Sequence, residues 1–171
     1  MAVASVTTKP KIVKLGGAYE ERHAYTAGGV DTIYAGDLIR LNSSGTIDVA
    51  EGTSAGAVHG IALEANAASA VVLPVIMFAS DTIVEIQCVD TVAPEDLTKG
   101  LVYALEVSTA NKQAINASTS TPIATVVDYA ATGQPFEDRT GTFDQTDSTN
   151  NNSVLVRFST TVLEGHAAAA S

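Results

Sequence analysis

Two stretches of this chain, Gly36 to Glu64 and Gly100 to Asp128, follow one plan of short apolar-alternating runs separated by turn residues. A period of two over four to eight residues specifies half-buried strands and excludes helix. In the first stretch Ile39 and Leu41 alternate with Leu38 and Arg40, and Ile47 and Val49 with Thr46 and Asp48. Asn42-Ser43-Ser44-Gly45 between them fits a hairpin loop in which Gly45 takes a positive φ. A Gly-rich loop, Glu51–Ala57, leads to a third strand over Val58–Glu64, with His59, Ile61 and Leu63 on one face. The second stretch sets Leu101, Tyr103, Leu105 and Val107 on one face, turns at Ser108–Lys112 and returns at Gln113–Ile115. A Ser/Thr loop over Asn116–Thr121 then precedes a third strand, Ile123–Tyr129. Two copies are too few for a solenoid; they fit a pseudo-twofold or a duplicated half-barrel.

The rest of the chain adds strands and loops. Val71–Phe78 is a continuous apolar run that reads as a strand buried on both sides, with Pro74 marking an edge or a bulge. Thr82–Val89 alternates, Val84, Ile86 and Cys88 inward and Glu85 and Gln87 outward. Pro94–Leu97 reads as one helical turn, since proline suits a first helical position. Val154–Val162 is a final strand, Tyr19–Val30 a linker, 130–153 a long polar loop with a short strand at Thr142–Phe143, and Gly165–Ser171 a tail. No run of ten residues is helically amphipathic, and nine or ten strands at regular spacing predict an all-β small antiparallel barrel or sandwich. Hydrophobic residues make up 46% of the chain, but much of that is alanine, and aromatics are only 5% with no tryptophan. Such a composition predicts further burial at a subunit interface. A lone cysteine, Cys88, excludes an intrachain disulfide.

Residues 1–18 read as an extended arm with a Gly16-Gly17 hinge. In it Ile12, Val13 and Leu15 form a short added strand, flanked by Lys9, Lys11 and Lys14. These three lysines are the only charged residues among the first nineteen; the remainder holds six basic and nineteen acidic side chains, for a net charge of −10 overall. A basic arm on an acidic body suits an acidic partner surface and repels nucleic acid. The same lysines interrupt any signal-peptide apolar core. The longest apolar stretch, Ala70–Ala79, is too short for a membrane helix.

The residues that carry chemistry do not assemble in the sequence. His23, His59 and His166 share no metal-ligand spacing, and His59 reads as a structural or surface histidine. Ser43, Ser44 and Ser54 lie in loops without a nucleophile motif. Glu20-Glu21, Glu95-Asp96 and Glu137-Asp138 read as solvated acids. Asp144, Asp147 and Asn150–Asn152 lack the spacing of a calcium loop. Gly52, Gly56 and Gly60 precede a strand and no lysine, which is wrong for a phosphate loop. Asn42, Asn116 and Asn151 head sequons that matter only in a secreted eukaryotic protein. The expectation is a non-enzymatic protein with no metal and no cofactor.

The segments Ala35-Gly-Asp-Leu-Ile-Arg-Leu-Asn-Ser-Ser-Gly-Thr-Ile47 and Gly52-Thr-Ser-Ala-Gly-Ala-Val-His-Gly-Ile-Ala-Leu-Glu-Ala65, continued by the hairpin Val75–Met77 to Thr82–Gln87, resemble the head-decoration (capsid cement) proteins of tailed bacteriophages, the lambda-type decoration protein among them. The likeness covers residues 35–90, and 100–128 through the second unit. It implies a β-tulip-like domain that trimerises on the outer capsid surface, binds the major capsid protein and is made in the host cytoplasm. In that family an N-terminal arm adds a strand to the shell, a role that here falls to Lys9, Lys11, Ile12, Val13, Lys14 and Leu15. The second unit (97–129) and the 130–153 loop depart from compact family members. Two other readings stand beside this one. One is a tail, fibre or host-attachment module working through loop 130–153. The other is a trimeric β-barrel nucleotide hydrolase, which requires Asp37, Asp48 or Asp90 to meet in a pocket.

Overall fold

The computed structural model describes residues 9–14, 22–28, 32–42, 44–50, 58–65, 71–89, 91–107, 113–129 and 153–158. Their strands are β1 (Lys11–Lys14), β2 (Arg22–Thr26), β3 (Leu38–Leu41), β4 (Ile47–Val49), β5 (Gly60–Ala62), β6 (Val72–Met77), β7 (Ile83–Gln87), β8 (Val102–Val107), β9 (Gln113–Asn116), β10 (Ala124–Tyr129) and β11 (Ser153–Phe158). A single 3-10 turn, Pro94–Asp96, stands where the proline predicts a helical turn. The fold is all-β, with two antiparallel sheets ordered β2-β6-β5-β3-β4 and β1-β7-β11-β10-β8-β9.

The duplication is wider than the hairpin-plus-strand unit. Read from β4, the first sheet has its hairpin partner outermost, then its first, third, fourth and opening strands; read from β9, the second sheet has the same order with β1 added beyond β7. The repeat boundary therefore falls between β6 and β7, and Thr82–Val89, which the sequence places outside either copy, opens the second. Registers agree as well. Ile39 faces Gly60 and Leu38 faces Ile61 in one half, as Tyr103 faces Ala124 and Val102 faces Thr125 in the other. His23 faces Val75 as Val84 faces Val156. In each half the chain just past the opening strand reaches the hairpin's outer strand by a parallel bridge, Ala27 to Ile47 and Cys88 to Ile115. In each half the chain beyond the opening strand thus touches the hairpin's outer strand at one point.

The turns follow the same symmetry. Gly36 donates its N–H to the Ala62 carbonyl, whose residue donates back to Asp37; Gly100 and Val126 repeat this with Leu101. Both glycines hold a left-handed φ, +85° and +86°, where a Cβ is strained. The predicted Asn42–Gly45 loop is present: Gly45 has φ +76°, and the Asn42 side-chain carbonyl accepts the N–H groups of Ser44 and Thr46.

Equivalent faces of the two halves do not meet. Inside the first curl lie Ile39, Leu41, Ile47, Val49, Leu73 and Val75. Inside the second lie Ile86, Cys88, Tyr103, Leu105, Ile115 and Val156, but this core also takes in Leu38, Ile61, Ile76 and Phe78 from the outer face of the first sheet. The counterparts of Leu38, Ile61 and Ile76, which are Val102, Thr125 and Arg157, stay partly or fully exposed. The halves are stacked outer face on inner core, so a duplicated half fits and a face-to-face pseudo-twofold does not. Phe78 and Phe158 stack across the junction at 5.6 Å. Gln113, wholly buried on β9, spans it: its side-chain carbonyl accepts the Leu38 N–H (3.0 Å), and its amide donates to the Leu38 carbonyl (2.7 Å) and to that of Ala50 (3.3 Å).

Several local expectations change. Arg22–Thr26, read as linker, is a strand; its inward residues Tyr25 and Ala27 are too few to show a period. Val71 and Val72 are exposed although Val71–Phe78 reads as buried on both sides. Pro74 lies in an interior strand and marks no edge. Its carbonyl accepts the Leu63 N–H just past the end of β5, so its missing N–H falls where that ladder has stopped. Gln87 is buried rather than outward. The strand at Thr142–Phe143, the loops 51–57 and 130–152, and residues 159–171 lie outside the described residues.

A Cβ at Gly60 would lie 2.3 Å from the Ile76 carbonyl oxygen, a backbone atom, whereas one at Gly100 meets nothing within 4 Å. Gly60→Ala should therefore cost on the order of 3 kcal/mol and Gly100→Ala about 1 kcal/mol, from φ alone. Gln113→Leu should cost about 2–3 kcal/mol by orphaning the Leu38 amide and taking the side-chain donor from the Ala50 carbonyl, while the Leu38 carbonyl keeps the Ala50 N–H. Urea unfolding of the three variants checks this ranking.

Candidate functional site

The N-terminal segment binds both halves of the body. Its strand-forming run, Lys-Ile-Val-Lys, pairs with the opening strand of the second half: Lys11 faces Glu85, Ile12 faces Val84 and Lys14 faces Ile83, with the register slipping at Val13. Lys11 opposite Glu85 is a favourable cross-strand charge pair. Val13 packs with Ile83, Leu155 and Val127 on the outer face of the second sheet, and Ile12 packs against the shared core. Lys11 is exposed. Leu15 and the side chain of Lys14 lie outside the described residues. The added strand expected from Ile12 and Val13 is thus present, and it lies along the protein's own sheet edge.

Before β1, the segment anchors on the first half. Pro10 is buried, and Lys9 forms an ion pair with Asp37, whose side chain is fully buried. The other Asp37 oxygen accepts the Tyr34 N–H at 2.7 Å, and the Lys9 ammonium lies 5.2 Å from the centre of the Tyr34 ring. The tight turn at Gly36 makes this possible, because a Cβ there would press on the Lys9 side chain at 3.1 Å. Burial raises the Asp37 carboxyl above its ordinary range, while the bond and charge of Lys9 and the Tyr34 amide pull it down; burial wins. In the second half the counterpart of Asp37 is Leu101, 52% exposed. Nothing in the spacing of Lys9 and Asp37, 28 residues apart, signals that they meet.

The remaining candidates stay apart. His59 is buried, and its Nδ1 accepts the Leu41 N–H at 3.0 Å, the structural role expected of it. Asp48 accepts from the Asn42 amide at 3.0 Å within its own hairpin, while Asp37 holds Lys9, and Asp90 lies outside the described residues. Glu95 and Asp96 are exposed. Burial first, and then the charge of Glu95, push the Cys88 thiol up to about 12, which keeps it protonated and unreactive. Among the described residues no three His, Cys, Asp or Glu side chains are placed to hold a metal ion, and no helix is long and apolar enough to cross a membrane. His23, His166, Glu20-Glu21, Glu137-Asp138 and the Asp144–Asn152 group have side chains outside the described set.

No protein-family model matches the chain, and no curated protein matches it.

Because its folded pKa is raised, Asp37 favours the fold most below its unfolded value of about 3.9, and that contribution is lost as pH rises through the folded value. The stability of the protein minus that of Asp37→Asn should therefore fall with rising pH from about 4 and then level off. Urea titrations at a series of pH values check this; a difference that grows with pH would show the Lys9 pair outweighing burial.

Proposed function

We propose that this protein is a non-enzymatic structural protein of a tailed-phage virion. In this reading it binds the outer capsid surface as a homotrimer bridging neighbouring capsomers and so stabilises the head. The observation that carries the reading is β1: a strand-forming N-terminal segment at the outermost position of a sheet, with exposed Lys11 on an otherwise acidic body. An outermost strand has main-chain donors and acceptors on its far side, and strand addition to such an edge needs no preformed pocket. The shell-facing partner is then a strand of the major capsid protein, met by main-chain hydrogen bonds and by acidic side chains near Lys11. Each exposed ion pair contributes only about 0–1 kcal/mol, so three arms acting together supply the avidity.

The likeness at Gly36–Glu64 supports the same reading, since the resemblance lies in the repeated hairpin-plus-strand unit and that unit is the body of both halves. Docking of residues 9–14 on the body adds a physical point: the arm is pre-ordered along its first contacts. Ordering costs that a free peptide would meet on binding are therefore partly met in advance.

The test is co-sedimentation with purified expanded capsids. Deleting residues 1–15 strands the Asp37 carboxyl, so the truncation should carry Asp37→Asn, with its fold checked by thermal melting. The full chain should run as a trimer and saturate capsids; the truncated chain should stay folded and remain in the supernatant. Undiminished capsid binding after truncation would remove the arm from the mechanism, and a monomer that saturates capsids would remove the trimer.

A further inference from the structure

β2 and β7 hold the same place in the two sheets, but their outer edges differ. Along β7 the first part of the edge is covered by β1, and the chain just beyond closes on β9 through Cys88. Along β2 the chain beyond closes on β4 through Ala27, but no described strand lies beside Arg22–Ala24, the counterparts of Ile83–Glu85. The direction of the backbone groups there is fixed by two hydrogen bonds. Ala27 donates to the Val71 carbonyl on the β6 side (3.0 Å), and Gly28 donates to the Ile47 carbonyl on the opposite side (2.8 Å). Direction alternates along an antiparallel strand, so Arg22 and Ala24 turn their N–H and C=O groups away from β6, towards the edge beside which no described strand lies.

Apolar surface adjoins this edge. Ala24 is exposed, and Val72, opposite Thr26, is 57% exposed, with Val71 at 45%. The covered counterpart shows what such a surface accepts. There Val13 of β1 packs against Leu155, which corresponds in register to Pro74.

We propose that the β2 edge at Arg22–Ala24 takes an extended acidic segment of a partner protein by strand addition. In the register of β1 on β7, the incoming residue at the place of Lys14 falls opposite Arg22, and that at the place of Lys11 falls opposite Ala24. Like charges directly opposite one another destabilise a strand pair. Lys14 of a second copy's β1 is therefore rejected, and Asp or Glu at that place is selected. An apolar residue at the Val13 place packs towards Pro74 and Val72. The same rule keeps a segment with an acid at the Lys11 place off β7, where Glu85 faces that residue.

Two labelled peptides test this on the full chain: residues 9–15 as they stand, and the same seven residues with each lysine replaced by glutamate. The acidic peptide should bind and slow exchange of the Ala24 amide, which in the free chain should be fast. Ala24→Pro, which removes an outward N–H and no β2–β6 bond, should weaken the acidic peptide about tenfold with the melting temperature checked. Arg22→Glu should invert the preference between the two peptides. An Ala24 amide already protected in the free chain overturns the proposal, as does acidic-peptide binding that neither variant changes. Tighter binding of the lysine peptide would assign the edge to a second copy of this chain instead.

Discussion

Everything in this molecule depends on one half lending the outer face of its sheet to the core of the other. A curled sheet of five short strands encloses few side chains, and below about 40–70 residues a lone core gives little net stability. Stacking resolves this. Leu38, Ile61, Ile76 and Phe78 serve a second interior from the back of a sheet whose front already encloses Ile39, Leu41 and Val75. Fully burying each such side chain is worth roughly 1.5–3 kcal/mol, and the polar cost at the seam is met by Gln113, which satisfies three backbone groups of the other half. Because outer face meets inner core, the two copies occupy unequal environments, and their sequences differ accordingly. Ile76 corresponds to exposed Arg157, Asp37 to Leu101, and Gly60, pressed by the Ile76 carbonyl, to Ala124.

The N-terminal segment depends on that inequality. Among the described residues, Asp37 of the first half is the buried carboxylate that holds Lys9, and the opening strand of the second half places Glu85 opposite Lys11. The segment bridges the two, so it reports on their relative placement as well as on its own pairing.

Much of this was legible in the sequence, and the limits are instructive. Period-two alternation located most strands, and the hairpin at Asn42–Gly45 was readable because its turn chemistry is local. The duplication was visible only where both copies keep similar loops. β2 against β7 and β6 against β11 match in register but not in composition: Arg-His-Ala-Tyr-Thr resembles nothing in Ile-Val-Glu-Ile-Gln. Pro74 misled because its cost depends on where β5 ends, a fact of the neighbouring strand. The outward reading of Gln87 failed for a related reason. Alternation tells which residues share a face, but not whether that face meets water. The Lys9–Asp37 pair, the nearest thing to a built polar site, was invisible for the same reason that long-range contacts usually are: neither residue carries a local signature of the other.

The docking of β1 has a mechanical side. It runs antiparallel along β7, with Lys9 gripping the first half just ahead of it. A pull on the chain along the strand axis loads the β1–β7 bonds together in shear, and the ion pair stands first in line. Tension entering through the N-terminus therefore reaches the first half through Lys9 before it loads the second half through β1.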